Sequence, residues 1–92
     1  MKNNYRPLPK QLTINRSMID GLGVFAVVDL KAGINLGTTH WLVGDKLYRS
    51  PLGGYLNHSD NPNTFIDEEF NLFTVRDINT DEELTVFYRL TV

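Results

Sequence analysis

Residues 57–63 read Asn-His-Ser-Asp-Asn-Pro-Asn, which puts three amide side chains, one imidazole and a proline in seven positions. An amide both donates and accepts hydrogen bonds, and a neutral imidazole does the same. With their backbone groups, Asn57 and His58 can read the edge of a heteroaromatic base and hold a ligand ammonium. The same composition also suits a polar loop in which Asn57 and Asn63 bond their own backbones. Pro62 and Asn63 shape the loop under either reading. His58 and Asp60 together supply two metal ligands, too few for a site, and no metal is expected.

Two more clusters flank this one. Upstream lies Asp20-Gly21-Leu22-Gly23-Val24-Phe25-Ala26. Glycine permits positive φ and lets a ligand approach the backbone. A turn here would present the N–H and C=O groups of Asp20, Gly21, Leu22 and Gly23; it would equally serve as a plain hairpin turn. Downstream lies Asp81-Glu82-Glu83-Leu84-Thr85-Val86-Phe87-Tyr88. The Tyr88 phenol, with a reference pKa of about 10, can accept a polarised C–H contact or orient an amine. A tyrosine near a chain end is also a common edge-strand residue. Glu82 and Glu83 have the form of a catalytic carboxylate pair and equally of a solvated turn before a strand.

Short strands must position these clusters, because no segment shows a long 3.6-residue apolar period. Residues 1–10, with Pro7 and Pro9, read as an extended arm. Strands are expected over Gln11 to Asn15, where Leu12 and Ile14 share a face, and over Val24 to Val28. Ile34 to Leu36 and Thr38 to Val43 follow as short strands separated by Gly37. Lys46 to Leu56 is less regular, with a short helical turn expected from Pro51. Thr64 to Asp67 and Phe70 to Val75 should pair as a hairpin around Glu68-Glu69. Asn79-Thr80-Asp81 reads as a turn, and Leu84 to Phe87 as the last strand. Turns every 8–12 residues suit a small, mainly β domain.

Ninety-two residues make one domain. A chain this short buries only roughly 60–65% of its unfolded surface, so a partner or ligand can add substantially to its stability. The apolar fraction of 41% fits a globular chain. The absence of cysteine excludes disulfides and thiolate zinc sites. A net charge of −2 gives no basic face, so no nucleic-acid binding is expected. With no 18-residue apolar run and no signal-peptide pattern, the expectation is a soluble intracellular protein, in cytoplasm or nucleus, without membrane contact.

Glycine turn, Asn-His loop and Glu-Leu-Thr-x-x-Tyr, in that order over residues from about Leu12 to Tyr88, resemble the SET-domain protein lysine methyltransferases. Arg76-Asp77-Ile78 resembles the family's Arg-Asp-Ile before the last strand. The resemblance implies a compact SET (β-clip) fold of short strands with little helix and a C-terminal pseudoknot. It implies a single SET domain over 1–92, without pre-SET or post-SET zinc segments, similar to small viral or bacterial members. The implied activity is methyl transfer from S-adenosyl-L-methionine to a lysine of a protein or peptide. Asp20, Gly21, Leu22 and Gly23, with Asn57 and His58, would bind that cofactor. Tyr88 would be the catalytic residue at the inner mouth of the lysine channel.

Departures from the family pattern carry their own expectations. Phe87 stands where Asp is frequent, and Val86 where Phe or Tyr is frequent. The stretch from Gly37 to Gly53, where these enzymes build much of the peptide groove, is short, and only four residues follow Tyr88. Both features leave the channel open to water. A second copy of the chain, meeting the first through Leu90, Val92 and the Trp41-Leu42-Val43 strand, is the expected cover, although those residues could equally be core. A non-catalytic SET-like module that binds a partner protein, with or without the cofactor, is the alternative.

Overall fold

The computed structural model describes residues 8–88. Two strands open the chain as an antiparallel hairpin, β1 (Leu12–Arg16) and β2 (Leu22–Ala26). Leu12 and Ile14 point the same way along β1, as period-two alternation requires, and Leu12 is buried. The turn is closed by the Ser17 N–H donating to Gly21 O at 2.8 Å, with Gly21 at φ 45°. Sequence placed the second strand over Val24 to Val28. It starts two residues earlier, because the ladder pairs Arg16 with Leu22 and Asn15 with Gly23. Leu22 and Gly23 therefore belong to a strand, and Val27 and Val28 lie exposed beyond it.

The last strand, β9 in chain order (Glu83–Val86), lies between β2 and a two-residue strand, β6 (Asn57–His58). It runs antiparallel to β2 and parallel to β6, pairing Asn57 with Thr85 and His58 with Val86. Leu84, Thr85 and Val86 are all buried. Both limbs of the 57–64 loop grip β9. On one limb the Ser59 N–H donates to Val86 O at 3.0 Å. On the other, the Asn63 amide donates to Glu83 O and accepts from the Thr85 N–H, both at 2.8 Å. Thr64 Oγ1 adds a bond to Thr85 O at 2.7 Å. The C-terminal strand thus passes beneath the loop, the pseudoknot that the resemblance implied. Asn63 does not bond its own backbone; it clamps a strand about twenty residues away.

A second sheet joins β3 (Asn35–Thr38), β8 (Asn71–Thr74) and β7 (Thr64–Ile66), in the order β3-β8-β7. Gly37 falls inside β3 at a register shift, with φ 114°, instead of separating two strands. The β7–β8 hairpin turns around Glu68-Glu69 as expected; Asp67 Oδ1 accepts from the N–H groups of Glu69 and Asn71. Val24, Leu72, Ile78 and Leu84 are fully buried where the two sheets meet. Each such side chain contributes roughly 1.5–3 kcal/mol. Ile78 pairs with Leu30 in an isolated bridge, and Asp29 caps the following turn through Thr80.

The third sheet is a lone hairpin of β4 (His40–Val43) and β5 (Lys46–Arg49). Sequence read Thr38 to Val43 as one strand. It breaks at buried Thr39, whose N–H turns to Phe70 O at 2.8 Å. Trp41, Leu42 and Val43 are 51%, 64% and 62% exposed, so they are surface and not core. Leu90 and Val92 lie outside the described residues.

The only helix among the described residues is the single turn α1 (Pro51–Tyr55). Proline at its start is preorganised, and the Ser50 side chain accepts from the Gly53 N–H, as a helix N-terminus demands. Ser50 Oγ in turn donates to Thr38 O at 2.6 Å. Gly53 is required for close approach: a Cβ there would collide with the Thr39 carbonyl oxygen. Among the described residues, no helix is long and apolar enough to cross a membrane.

Candidate functional site

Tertiary structure joins the glycine turn to the Asn-His segment through one amide. Asn57 Nδ2 donates to Asp20 O at 3.0 Å, to Leu22 O at 3.1 Å and to Glu83 Oε2 at 2.9 Å. Glu83 also accepts from Ser17 Oγ at 2.8 Å. Gly23 sits directly under this cluster; a Cβ at Gly23 would strike the Glu83 carboxylate. The glycine is therefore needed for packing as well as for the turn. Gly21 lies at the exposed apex, where its carbonyl closes the turn. The carbonyls of Asp20 and Leu22 each accept one bond from Asn57, and each keeps a second lone pair. Asn57 Oδ1 has no hydrogen-bond donor among the described residues.

One residue further, His58 turns the other way. Its Nδ1 accepts from the Tyr88 backbone N–H at 3.2 Å, and its Nε2 lies 3.1 Å from Asp60 Oδ1. A ring that accepts at Nδ1 carries its proton on Nε2, so Asp60 receives that N–H. The imidazole packs against Phe87 at a centroid distance of 4.8 Å. The Tyr88 phenol donates to Gly53 O at 3.0 Å and lies 3.3 Å from Leu56 O. Burial pushes the phenol pKa above its ordinary 10, with the Arg49 charge opposing more weakly. The hydroxyl thus stays protonated and keeps its bond to α1.

Of the seven residues singled out from sequence, six are joined by contacts, and Gly21 stands apart at the apex of the turn. Asp20, Leu22 and Gly23 meet Asn57; Asn57 adjoins His58; His58 holds Tyr88. Tyr88 also lines an open cleft of about 580 Å³. Its walls include Leu47 and His40 from the β4–β5 hairpin, Phe65 and Phe70 from the β7–β8 hairpin, and Phe87. Tyr88 belongs both to this cleft and to the patch.

Sequence reading missed several partners. Glu82 and Glu83 are not a freely solvated turn. Glu82 accepts from the Asn79 N–H at 3.0 Å, Arg76 at 2.9 Å and Asn63 at 3.2 Å. The Asn79 N–H first, then Arg76 and Asn63, hold its carboxyl below the ordinary glutamate range despite some burial. Ser17 gave no signal, since its partner Glu83 lies 66 residues away. His40 stands in none of the sequence motifs, and the fold brings it to the cleft wall.

A mainly β domain threaded by its own last strand, with an Asn-His pair beside that strand, defines a SET-type protein. The SET domain family model matches residues 38–89, and the chain belongs to this family. The fold is also similar to that of a putative histone methyltransferase of Plasmodium falciparum. The TM-score is 0.74 at 20% identity, over 91% of this chain and 97% of that one. A humanized mutant of the Polycomb Repressive Complex 2 of Chaetomium thermophilum matches with TM-score 0.66 at 19% identity. That likeness covers 84% of this chain and 14% of that chain. No curated protein sequence matches.

Proposed function

We propose that the chain transfers a methyl group from S-adenosyl-L-methionine to a lysine side chain of a protein or peptide. The observation that carries this reading is that His58, next to Asn57, holds the backbone N–H of Tyr88, while Tyr88 also lines the open cleft. The patch is rich in acceptors: Asp20 O, Leu22 O, Asn57 Oδ1 and the Glu83 carboxylate. Such a set suits a cationic ligand, here the methionyl ammonium, and so fits the cofactor. The bound cofactor would supply an electrophilic methyl on a sulfonium.

The residues of the chain do the rest. A lysine must arrive neutral, although its reference pKa is about 10.4. Leu47, Phe65 and Phe87 line the cleft with apolar surface, which disfavours the ammonium by desolvation. Tyr88 aligns the amine with the methyl, so catalysis rests on positioning, and no general base is required. Asn57 and the glycine turn hold the donor on one side; the cleft holds the acceptor on the other.

Calorimetry with S-adenosylmethionine, together with a methylation assay on candidate host proteins, tests the reading. Cofactor binding without any transfer would leave a non-catalytic SET-like module. Asn57→Ala should weaken cofactor binding by about 1–3 kcal/mol, the usual penalty for unpaired polar groups. If the variant stays folded and binds as tightly as the parent, the assignment of this loop is wrong.

The cover for the cleft is proposed to be a second copy of the chain. Trp41, Leu42 and Val43 are exposed on the same hairpin whose Leu47 lines the cleft. A two-fold contact would bury them and exclude water from the lysine's path. Sedimentation at micromolar concentration should show a dimer. A strict monomer that still methylates a peptide would show that the chain closes its own channel.

A further inference from the structure

His40 is a half-buried imidazole that neither the Asn-His motif nor the methyl-transfer reading uses. It begins β4 and forms part of the same cleft wall as Leu47. Its ring is held on two sides. Nδ1 lies 2.8 Å from Thr39 Oγ1, and the Phe70 ring packs against it at 5.5 Å. Thr39 itself is fully buried, and its Oγ1 also reaches Phe70 O at 3.1 Å. The imidazole therefore has a fixed orientation, with Nδ1 taken by the protein and Nε2 left without a hydrogen-bond partner among the described residues.

We propose that His40 is a substrate-contacting residue whose neutral imidazole admits the lysine side chain to the cleft and whose protonated form excludes it. The proposal rests on the methyl-transfer reading for the identity of the substrate. A neutral ring offers a lone pair to an entering ammonium or amine. A protonated ring sets a like charge in a half-enclosed space, where repulsion is screened less than in bulk water.

The charged and titratable groups around His40 are consistent with this role. Arg49 stands opposite it in the β4–β5 register. Burial first, and the Arg49 charge second, lower the His40 pKa from its ordinary 6.5. Asp67 also borders the cleft, but one of its carboxylate oxygens is committed to the N–H groups of Glu69 and Asn71. Tyr88 borders it as a neutral phenol. Near neutral pH the ring is uncharged and open to the lysine; acid converts it to a second cation beside Arg49. An imidazole is the side chain whose charge ordinarily changes near neutral pH, and His40 is the imidazole that lines this cleft.

The test uses the whole chain loaded with S-adenosylmethionine and N-acetyl-lysine methylamide as the probe. Binding is followed by NMR through the His40 ring signals and the amide signals of Leu47 and Phe87. N-acetyl-norleucine methylamide serves as the uncharged control. The lysine probe should bind more weakly near pH 5 than near pH 8, by a factor that tracks the protonated fraction of the His40 ring read from its own signals, as repulsion between partly screened charges predicts. The norleucine probe should show no such loss. His40→Phe should remove the pH dependence, and His40→Lys should abolish lysine-probe binding at both pH values while leaving cofactor affinity unchanged. Pairing each variant with its cofactor affinity and melting temperature keeps misfolding visible. An unaltered pH dependence in a folded His40→Phe overturns the proposal, as does failure of the probe to bind near pH 8. Because the readout is binding, a chain that shows the pattern but transfers no methyl loses only the catalytic reading.

Discussion

Tyr88→Phe should lower methyl transfer about a hundredfold, the scale set by removing one group that acts on the transition state. Affinity for S-adenosylmethionine should change little. The phenol proton is spent on Gly53 O at 3.0 Å, which fixes the ring and leaves the oxygen lone pairs available to the methyl and the amine. Asn57, the glycine turn and Glu83 bind the other side of the patch and do not touch the phenol oxygen. Burial raises the phenol pKa, so ionisation of Tyr88 should reduce activity only above its ordinary 10. Single-turnover rates and calorimetric cofactor affinity check this together. Equal loss of rate and binding, with an unchanged melting temperature, would move Tyr88 from a catalytic to a structural role.

Asn63→Ala should be the most damaging single truncation for stability. The Asn63 side chain is 2% exposed and serves as a pseudo-strand, donating to Glu83 O and accepting from the Thr85 N–H. Its removal leaves two backbone groups of the threaded strand without partners. Each unpaired buried group costs about 1–3 kcal/mol. The sum, about 2–6 kcal/mol, compares with a total of roughly 5–15 kcal/mol for a typical domain. For a domain of this size that is a fall in Tm of at least about 10 °C. Asn63→Asp should do no better. It removes the donor and sets a carboxylate beside Glu82, which already accepts from Asn63 at 3.2 Å. A thermal scan of either variant that matches the parent would show that the threaded strand is held by something other than this clamp. The result is independent of any catalytic reading.

The acceptor-rich patch and the threading meet in the same few residues. The chain brings Asn57 to the glycine turn only because β9 carries Glu83 beneath the loop, where one carboxylate can hold Asn57 and Ser17 together. Loosening the clamp at Asn63 should therefore disturb the acceptor-rich patch as well as the fold.

Local elements were legible in the sequence because local physics writes them. Leu12 and Ile14 alternate, so their segment had to be a strand with one buried face. Ser50-Pro51 combines a side-chain cap with a preset φ, and a helical turn begins there. Glu68-Glu69 between two apolar runs makes a hairpin turn, and Asp67 completes it through its own neighbours. Each of these signals acts within about four residues. Family resemblance added the expectation of a threaded strand, which no local pattern contains.

The partners were decided by tertiary structure alone. Asn57 and Asn63 have the composition of residues that bond their own loop, yet both bond segments 20–37 residues away. Glu83 resembles a solvated turn residue and holds the glycine turn from a distance of 66 residues. Trp41-Leu42-Val43 has the apolarity of a core strand, yet among the described residues its hairpin pairs with no other strand. Gly53 is fixed by a carbonyl oxygen of Thr39 that no spacing rule points to. Side-chain chemistry determines which bonds a residue can make. Which distant group comes within reach depends on how the whole chain closes, and in this protein it closes by passing its last strand beneath its own loop.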